Sequence, residues 1–235
     1  ERKNFWKEAS AEEIKKAFDF AVPYKDFLNQ CKTERETVIW TEELLKANKF
    51  KALPTAKQNK KVYSIFRNKT IAMAVLGSEP VSAGFNMVAA HIDAPRVDLK
   101  QNPLYEDKSS AVACMKTHYY GGIKKYQWVS TPLAIHGTII KSDGSTINIS
   151  IGENNEEPVF IIPDLLPHLA RKEQYTKTLG EAISASNMNL IFSSMMEPKT
   201  EEKEAIKLYA LKLLNQRYGI QEKDFISAEL ELVPA

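Results

Sequence analysis

Asn86-Met87-Val88-Ala89-Ala90-His91-Ile92-Asp93-Ala94-Pro95 is an apolar run that delivers one histidine and one carboxylate two residues apart, then stops at proline. Read as a buried strand over 86–90, it puts His91 at the carboxyl end, where open α/β sheets gather their ligands. Alternation along an extended chain turns His91 and Asp93 to the same side. A histidine that binds a metal through one ring nitrogen commonly gives its other N–H to a carboxylate, so the pair reads as metal ligand and orienting partner. Four histidines and eight aspartates in 235 residues produce about 0.14 His-x-Asp matches by chance. The pair therefore takes its weight from its place behind the apolar run. The plain alternative is a histidine at a strand end, bonded to the nearest carboxylate for structural reasons.

Composition bounds what surrounds this stretch. With 43% hydrophobic and 26% charged residues, the chain is an ordinary globular sequence of one large or two small domains. A net charge of +2, from 32 basic and 30 acidic residues, makes no field for nucleic acid or a membrane surface. Two cysteines, Cys31 and Cys114, build neither a disulfide scaffold nor a cysteine-ligated zinc site. No apolar run approaches the roughly 20 residues of a membrane span, and Glu1-Arg2-Lys3-Asn4 leads into no signal-peptide core. The expected compartment is the cytoplasm. Both ends read as cut: there is no initiating Met, and the alternation of Glu229-Leu230-Glu231-Leu232-Val233 predicts a strand feeding a further segment.

In chain order, Ser10 with Glu13 and Thr33 with Glu36 form capping boxes. The first opens a helical stripe that Pro23 is expected to interrupt, with a short second helix over 24–31. The second opens a helix to about Asn48. Residues 62–66 and 70–76 flank Arg67-Asn68-Lys69 as a hairpin. From about Val97 to Ile162 short β-prone runs are punctuated by Asn102-Pro103 and Gly121-Gly122. Leu133–Ile140 and Thr146–Ile151 flank Ser142-Asp143-Gly144, a second hairpin. Pro163 to Pro167 suits a helix entrance, which places His168 near a helix N-terminus. Ile206, Tyr209, Ala210, Leu213 and Leu214 stripe a later helix that Gly219 ends.

Other chemistries lack their residues. There is no G-x-G-x-x-G, Walker loop or G-x-S-x-G elbow, and Cys31 lies in a capped helical region suited to an inert thiol. Tyr119, Tyr120, Tyr126 and Trp128 read as strand packing, since the charge balance gives no electrostatic groove for single strands. His118 and His136 lie inside β-prone runs and read as structural or surface residues.

His91-Ile92-Asp93-Ala94-Pro95-Arg96, Val97 through Glu106, and Lys116-Thr117-His118-Tyr119-Tyr120-Gly121-Gly122 through Trp128 resemble the M18 metalloaminopeptidases, in the bacterial aminopeptidase 1 branch. The likeness runs from Cys31-Lys32-Thr33-Glu34-Arg35-Glu36 to Ile162-Pro163-Asp164-Leu165-Leu166-Pro167-His168 and the last strand. That family's first motif usually reads H-T-D-S-P, from which Ile92 and Ala94 depart at positions that bind no metal.

The resemblance implies a two-zinc exopeptidase that removes N-terminal residues from peptide substrates, with cobalt or manganese as substitutes for zinc. It implies an α/β catalytic domain interrupted by a β-rich dimerisation domain, with dimers assembling into a dodecamer. On that reading residues 1–100 begin the catalytic domain, 101–225 are the inserted domain, and 226–235 are a strand returning to the catalytic domain. His91 carries over as a metal ligand, Asp93 as its catalytic orienting partner, and His168 as a catalytic residue that reaches a partner subunit's active site. The family's other ligands and its catalytic base match nothing in this sequence, so the 235 residues alone are expected to be inactive. The rival reading is a non-enzymatic assembly or binding protein in which His91 is structural.

Overall fold

The computed structural model describes residues 3–54 and 59–235. They form two compact units, Glu1–Asp93 and Ala94–Ala235.

In the first unit α1 (Phe5–Glu8) precedes α2 (Ala11–Gln30) and α3 (Glu34–Ala47). Both predicted capping boxes are made: Ser10 Oγ accepts from Glu13 N, Thr33 Oγ1 accepts from Glu36 N, and each glutamate returns the bond to the cap backbone. Pro23 does not break α2, which runs unbroken through it. The missing N–H forfeits one bond in the ladder, and the remaining turns carry the helix past it. Phe27 of α2 meets Trp40 of α3 edge-on at 4.9 Å. A small sheet follows, in the order β1 (Lys51–Ala52), β2 (Lys61–Phe66), β3 (Thr70–Val75). The predicted hairpin turns at Arg67 and Asn68, both at positive φ. Tyr63 donates to Glu42 Oε1 at 2.8 Å, which ties β2 to α3.

Residues 86–90, expected as a buried strand, form no strand at all, and Val88 is 98% exposed. Apolarity called for burial, but a strand also needs a neighbour for its backbone groups, and no described strand pairs with this segment.

The second unit is built on one antiparallel sheet of six strands: β4 (Arg96–Asp107), β5 (Val112–Tyr120), β6 (Leu133–Ile140), β7 (Thr146–Ile151), β8 (Leu190–Ser193) and β9 (Ala228–Pro234). Their order is β7-β6-β9-β4-β5-β8. The predicted 133–140/146–151 hairpin is present, paired without a shift from Ile135↔Ile151 to Ile140↔Thr146. Asn102-Pro103 does not end a strand as expected. It lies within β4, where the register against β5 shifts between Leu99 and Leu104 and a proline removes no ladder bond.

Residues 160–162 tie the sheet's far side back: Phe160 and Leu133 exchange two 2.8 Å backbone bonds, and Ile191 N donates to Ile161 O at 2.9 Å. Alternate residues Val97, Leu99, Leu133, Ile135, Leu230 and Leu232 fill the inner face. Helices α4 (Pro167–Glu173), α5 (Leu179–Ala182) and α6 (Ala205–Tyr218) complete the unit. α6 buries Ile206, Ala210 and Leu214 of its predicted stripe and ends at Gly219 in the left-handed conformation. The Glu106 carboxylate accepts from Ile206 N at 2.9 Å and Lys207 N at 3.1 Å, capping that helix from β4.

The incoming strand β4 and the outgoing strand β9 are neighbours, paired Val97↔Leu232 and Asp98↔Glu231. Residues 94–100 and 226–235 lie within the unit Ala94–Ala235. β9 occupies an inner position in its sheet, between β6 and β4.

Two local features have measurable consequences. Gly137 has φ +140°, and a Cβ there would lie 2.0 Å from the Glu229 carbonyl oxygen on β9. Gly137→Ala is expected to cost roughly 3 kcal/mol, from backbone strain plus displacement of β9. Urea unfolding reads this, and a loss within error of zero would refute the close approach. Glu157 accepts from Arg217 and from Gly152 N at 2.9 Å. The Arg217 bond, then the backbone amide, hold its carboxyl down to about 2 from an ordinary 4.5. A depressed carboxylate stabilises the fold fully above its unfolded value and loses that effect as pH falls through the folded one. Stability should therefore decline between pH 4.5 and about 2, and Glu157→Gln should flatten that limb of a urea-midpoint profile.

Candidate functional site

Pro95 biases Ala94 towards extended backbone and closes the irregular stretch that carries His91 and Asp93. The His91 ring is open to solvent, with 83% of its side chain exposed. Its Nδ1 lies 2.8 Å from the backbone oxygen of Asp93 and 3.4 Å from that residue's Oδ1. A carbonyl oxygen only accepts, so Nδ1 carries a proton, and in the neutral ring Nε2 has the lone pair a metal would use. The predicted pair is thus brought together, but the close acceptor is the main chain of Asp93 rather than its carboxylate. The difference follows from the missing strand: an irregular segment curls residue 93 back onto residue 91, where an extended one would only place the side chains on one face.

One imidazole is a fit for one position on zinc, which takes three or four protein ligands. Among the described residues no group of three or more His, Cys, Asp or Glu side chains is arranged to hold a metal ion.

His168 is the second residue of α4, directly after Pro167, and is exposed between the exposed Leu166 and Leu169. Its loop is tied down: Asp164 Oδ1 accepts from Leu165 N and from Gln174 Nε2, each at 2.8 Å. The other two histidines differ in setting. His136 is buried, with Nε2 2.7 Å from Glu153 Oε1, and His118 is exposed on β5 opposite Asp98. Both cysteines are free thiols. Burial, then the Glu36 charge, push the Cys31 thiol up to about 11, and burial raises Cys114 as well. Neither is poised as a nucleophile.

Sequence reasoning missed Arg96. Its guanidinium is buried between Asp98 Oδ1 at 2.8 Å and Glu231 Oε2 at 3.0 Å, over the Tyr120 ring at 4.5 Å. Arg-x-Asp alternation could have joined Arg96 to Asp98 on one strand face, but Glu231 is reached only through the β4–β9 register. No described helix is long and apolar enough to cross a membrane.

Against known proteins, the family model for aminopeptidase I zinc metalloprotease (M18) matches residues 27–235. The probable M18 family aminopeptidase 1 of Clostridium acetobutylicum is 43% identical over 242 residues, an alignment that takes all of this chain and 51% of the relative. The crystal structure of an M18 family aminopeptidase from Thermotoga maritima superposes with a TM-score of 0.89 at 44% identity, covering 100% of this chain and 50% of that one. The mApe1 dodecamer of S. cerevisiae shares the fold at a TM-score of 0.64 and 19% identity, over 92% of this chain and 48% of that one. The chain spans about half the length of the curated relatives it matches.

Proposed function

The chain belongs to the aminopeptidase I zinc metalloprotease (M18) family, and from that we propose that it furnishes one metal ligand and one transition-state donor to an enzyme that removes N-terminal residues from peptides. The observation that carries the reading is the His91 ring, open to solvent, with Nδ1–H given to the Asp93 carbonyl at 2.8 Å. An imidazole so fixed is a prepared donor at Nε2.

In the proposed complete site of two ions, zinc would supply polarisation of the scissile carbonyl and an activated water. His91 would hold one of those ions through Nε2. The Asp93 carbonyl keeps that ring in one tautomer and one orientation, and the Asp93 carboxylate adds negative charge 3.4 Å from Nδ1. The remaining ligands and the proton-transferring carboxylate come from outside these 235 residues. His168, presented on a rigid turn, donates a hydrogen bond to the developing oxyanion in a partner subunit.

Unit 94–235, whose incoming and outgoing strands lie side by side, suits a module inserted into a catalytic domain and used for self-association into dimers and a dodecamer. The first unit supplies part of that catalytic domain, and the exposed Phe85, Met87 and Val88 mark where its sheet is completed. Burying each such side chain is worth about 1.5–3 kcal/mol. Two free thiols suit a cytoplasmic enzyme. The rival structural role for His91 is disfavoured because its ring is solvent-exposed and packs in no core.

The test uses the whole protein as encoded, with peptides followed by mass spectrometry. Release of N-terminal residues should stop with chelator and return with zinc, whereas residues 1–235 alone should release none. Hydrolysis untouched by chelation would overturn the metal reading.

A further inference from the structure

We infer that Asp164 is a positioning residue that holds His168 in place by closing a ring of hydrogen bonds around the turn that presents it; the inference rests on the oxyanion-donor reading of His168. Packing alone does not fix this turn. α4 has seven residues, too few to be stable by itself in water, and no side chain caps its start at Leu166. Ala170 is the one residue it buries, while Leu166 and Leu169 on either side of His168 are 67% and 58% exposed. An open cavity of about 640 Å³ is lined by Asp164, Leu165 and Gln174, so these residues are not backed by close-packed side chains on that side.

Hydrogen bonds supply what packing leaves out. Asp164 Oδ1 accepts from Leu165 N and from Gln174 Nε2, each at 2.8 Å, so one carboxylate joins positions ten residues apart. Gln174 N in turn donates to Ala170 O at 2.8 Å, and Ala170 N donates to Leu166 O at 2.9 Å. The ring therefore runs from Asp164 through Gln174, Ala170 and Leu166 back to Leu165, and it encloses His168 at the second position of α4. Pro163 and Pro167 each fix one backbone torsion, which removes freedom from the same stretch. Opening the ring at Asp164 lets the imidazole wander while the sheet beneath keeps its fold, since the bonds lost are at the surface. Asp164 touches no substrate in this scheme and acts through the place it gives to His168.

The experiment uses the whole protein with Asp164→Ala, which loses both bonds, and Asp164→Asn, which keeps an oxygen able to accept them. Turnover in Asp164→Ala should fall roughly 10–10²-fold with KM unchanged, the scale of a small misplacement of a catalytic group. Amide exchange over residues 165–170 should quicken about tenfold, the worth of one bond to a charged acceptor. Asp164→Asn should restore most of both. Because Asp164 acts only through His168, adding Asp164→Ala to His168→Phe should cost nothing more in turnover. Wild-type turnover and exchange in Asp164→Ala overturn the inference, as does a loss that persists undiminished in the His168→Phe background or is equally large in Asp164→Asn. Faster exchange in Asp164→Ala with wild-type turnover in His168→Phe supports Asp164 as what orders the turn and overturns the oxyanion-donor reading instead.

Discussion

His91→Ala in the whole protein should lose zinc and, with it, turnover. One imidazole is a quarter to a third of a zinc ligand set, and among the described residues no group of three or more His, Cys, Asp or Glu side chains could hold the ion without it. The fall should exceed the roughly 10–100-fold typical of groups that only orient a ligand. Asp93→Asn is the contrast. The acceptor at 2.8 Å from Nδ1 is the main-chain oxygen, which survives the substitution, while the carboxylate at 3.4 Å is lost. Metal content should stay near wild type while the rate drops within that range. Metal analysis beside a peptide assay separates the two, and full zinc with full turnover in His91→Ala would remove the residue from the mechanism.

The second large effect is expected at His168. Donors to an oxyanion typically contribute about 10²–10³ in turnover. His168→Phe should lose that much while keeping metal and assembly, because the side chain is exposed and the turn is held by Asp164 rather than by the ring. The proposal that it acts across subunits has a sharper check. Mixed with His91→Ala protein, His168→Phe should recover part of the activity, since an intact His91 on one subunit can meet an intact His168 from the other. No recovery in verified hybrids, or wild-type turnover in His168→Phe, would leave His168 as structure only.

Much of this molecule is legible along the chain because the relevant physics is local. Ser10 with Glu13 and Thr33 with Glu36 announce helix starts through bonds spanning three residues. Ser142-Asp143-Gly144 announces a hairpin through the positive φ that Gly144 adopts. His91 and Asp93 are near one another because two residues cannot be far apart, although which oxygen serves as acceptor depended on the backbone between them.

What escaped depends on partners distant in sequence. Whether residues 86–90 form a strand is decided by a neighbouring backbone, which their own apolarity does not supply. Arg96 and Glu231 are 135 positions apart, and only the pairing of β4 with β9 makes them adjacent. Pro23 and Pro103 show the converse: a residue that disfavours an element by itself is tolerated where one lost bond is cheap or a bulge absorbs it.

The uncovered stretch from Phe85 to Ala90 has a bearing on handling that has nothing to do with catalysis. Six consecutive residues carry no charge and no proline, and Phe85, Met87 and Val88 are each at least 74% exposed. Segments of this composition stack with copies of themselves into intermolecular sheets when left open to solvent. For residues 1–235 prepared alone, colloidal lifetime is therefore set by concentration before it is set by temperature, and a single lysine in place of Val88 would act as a gatekeeper against precipitation.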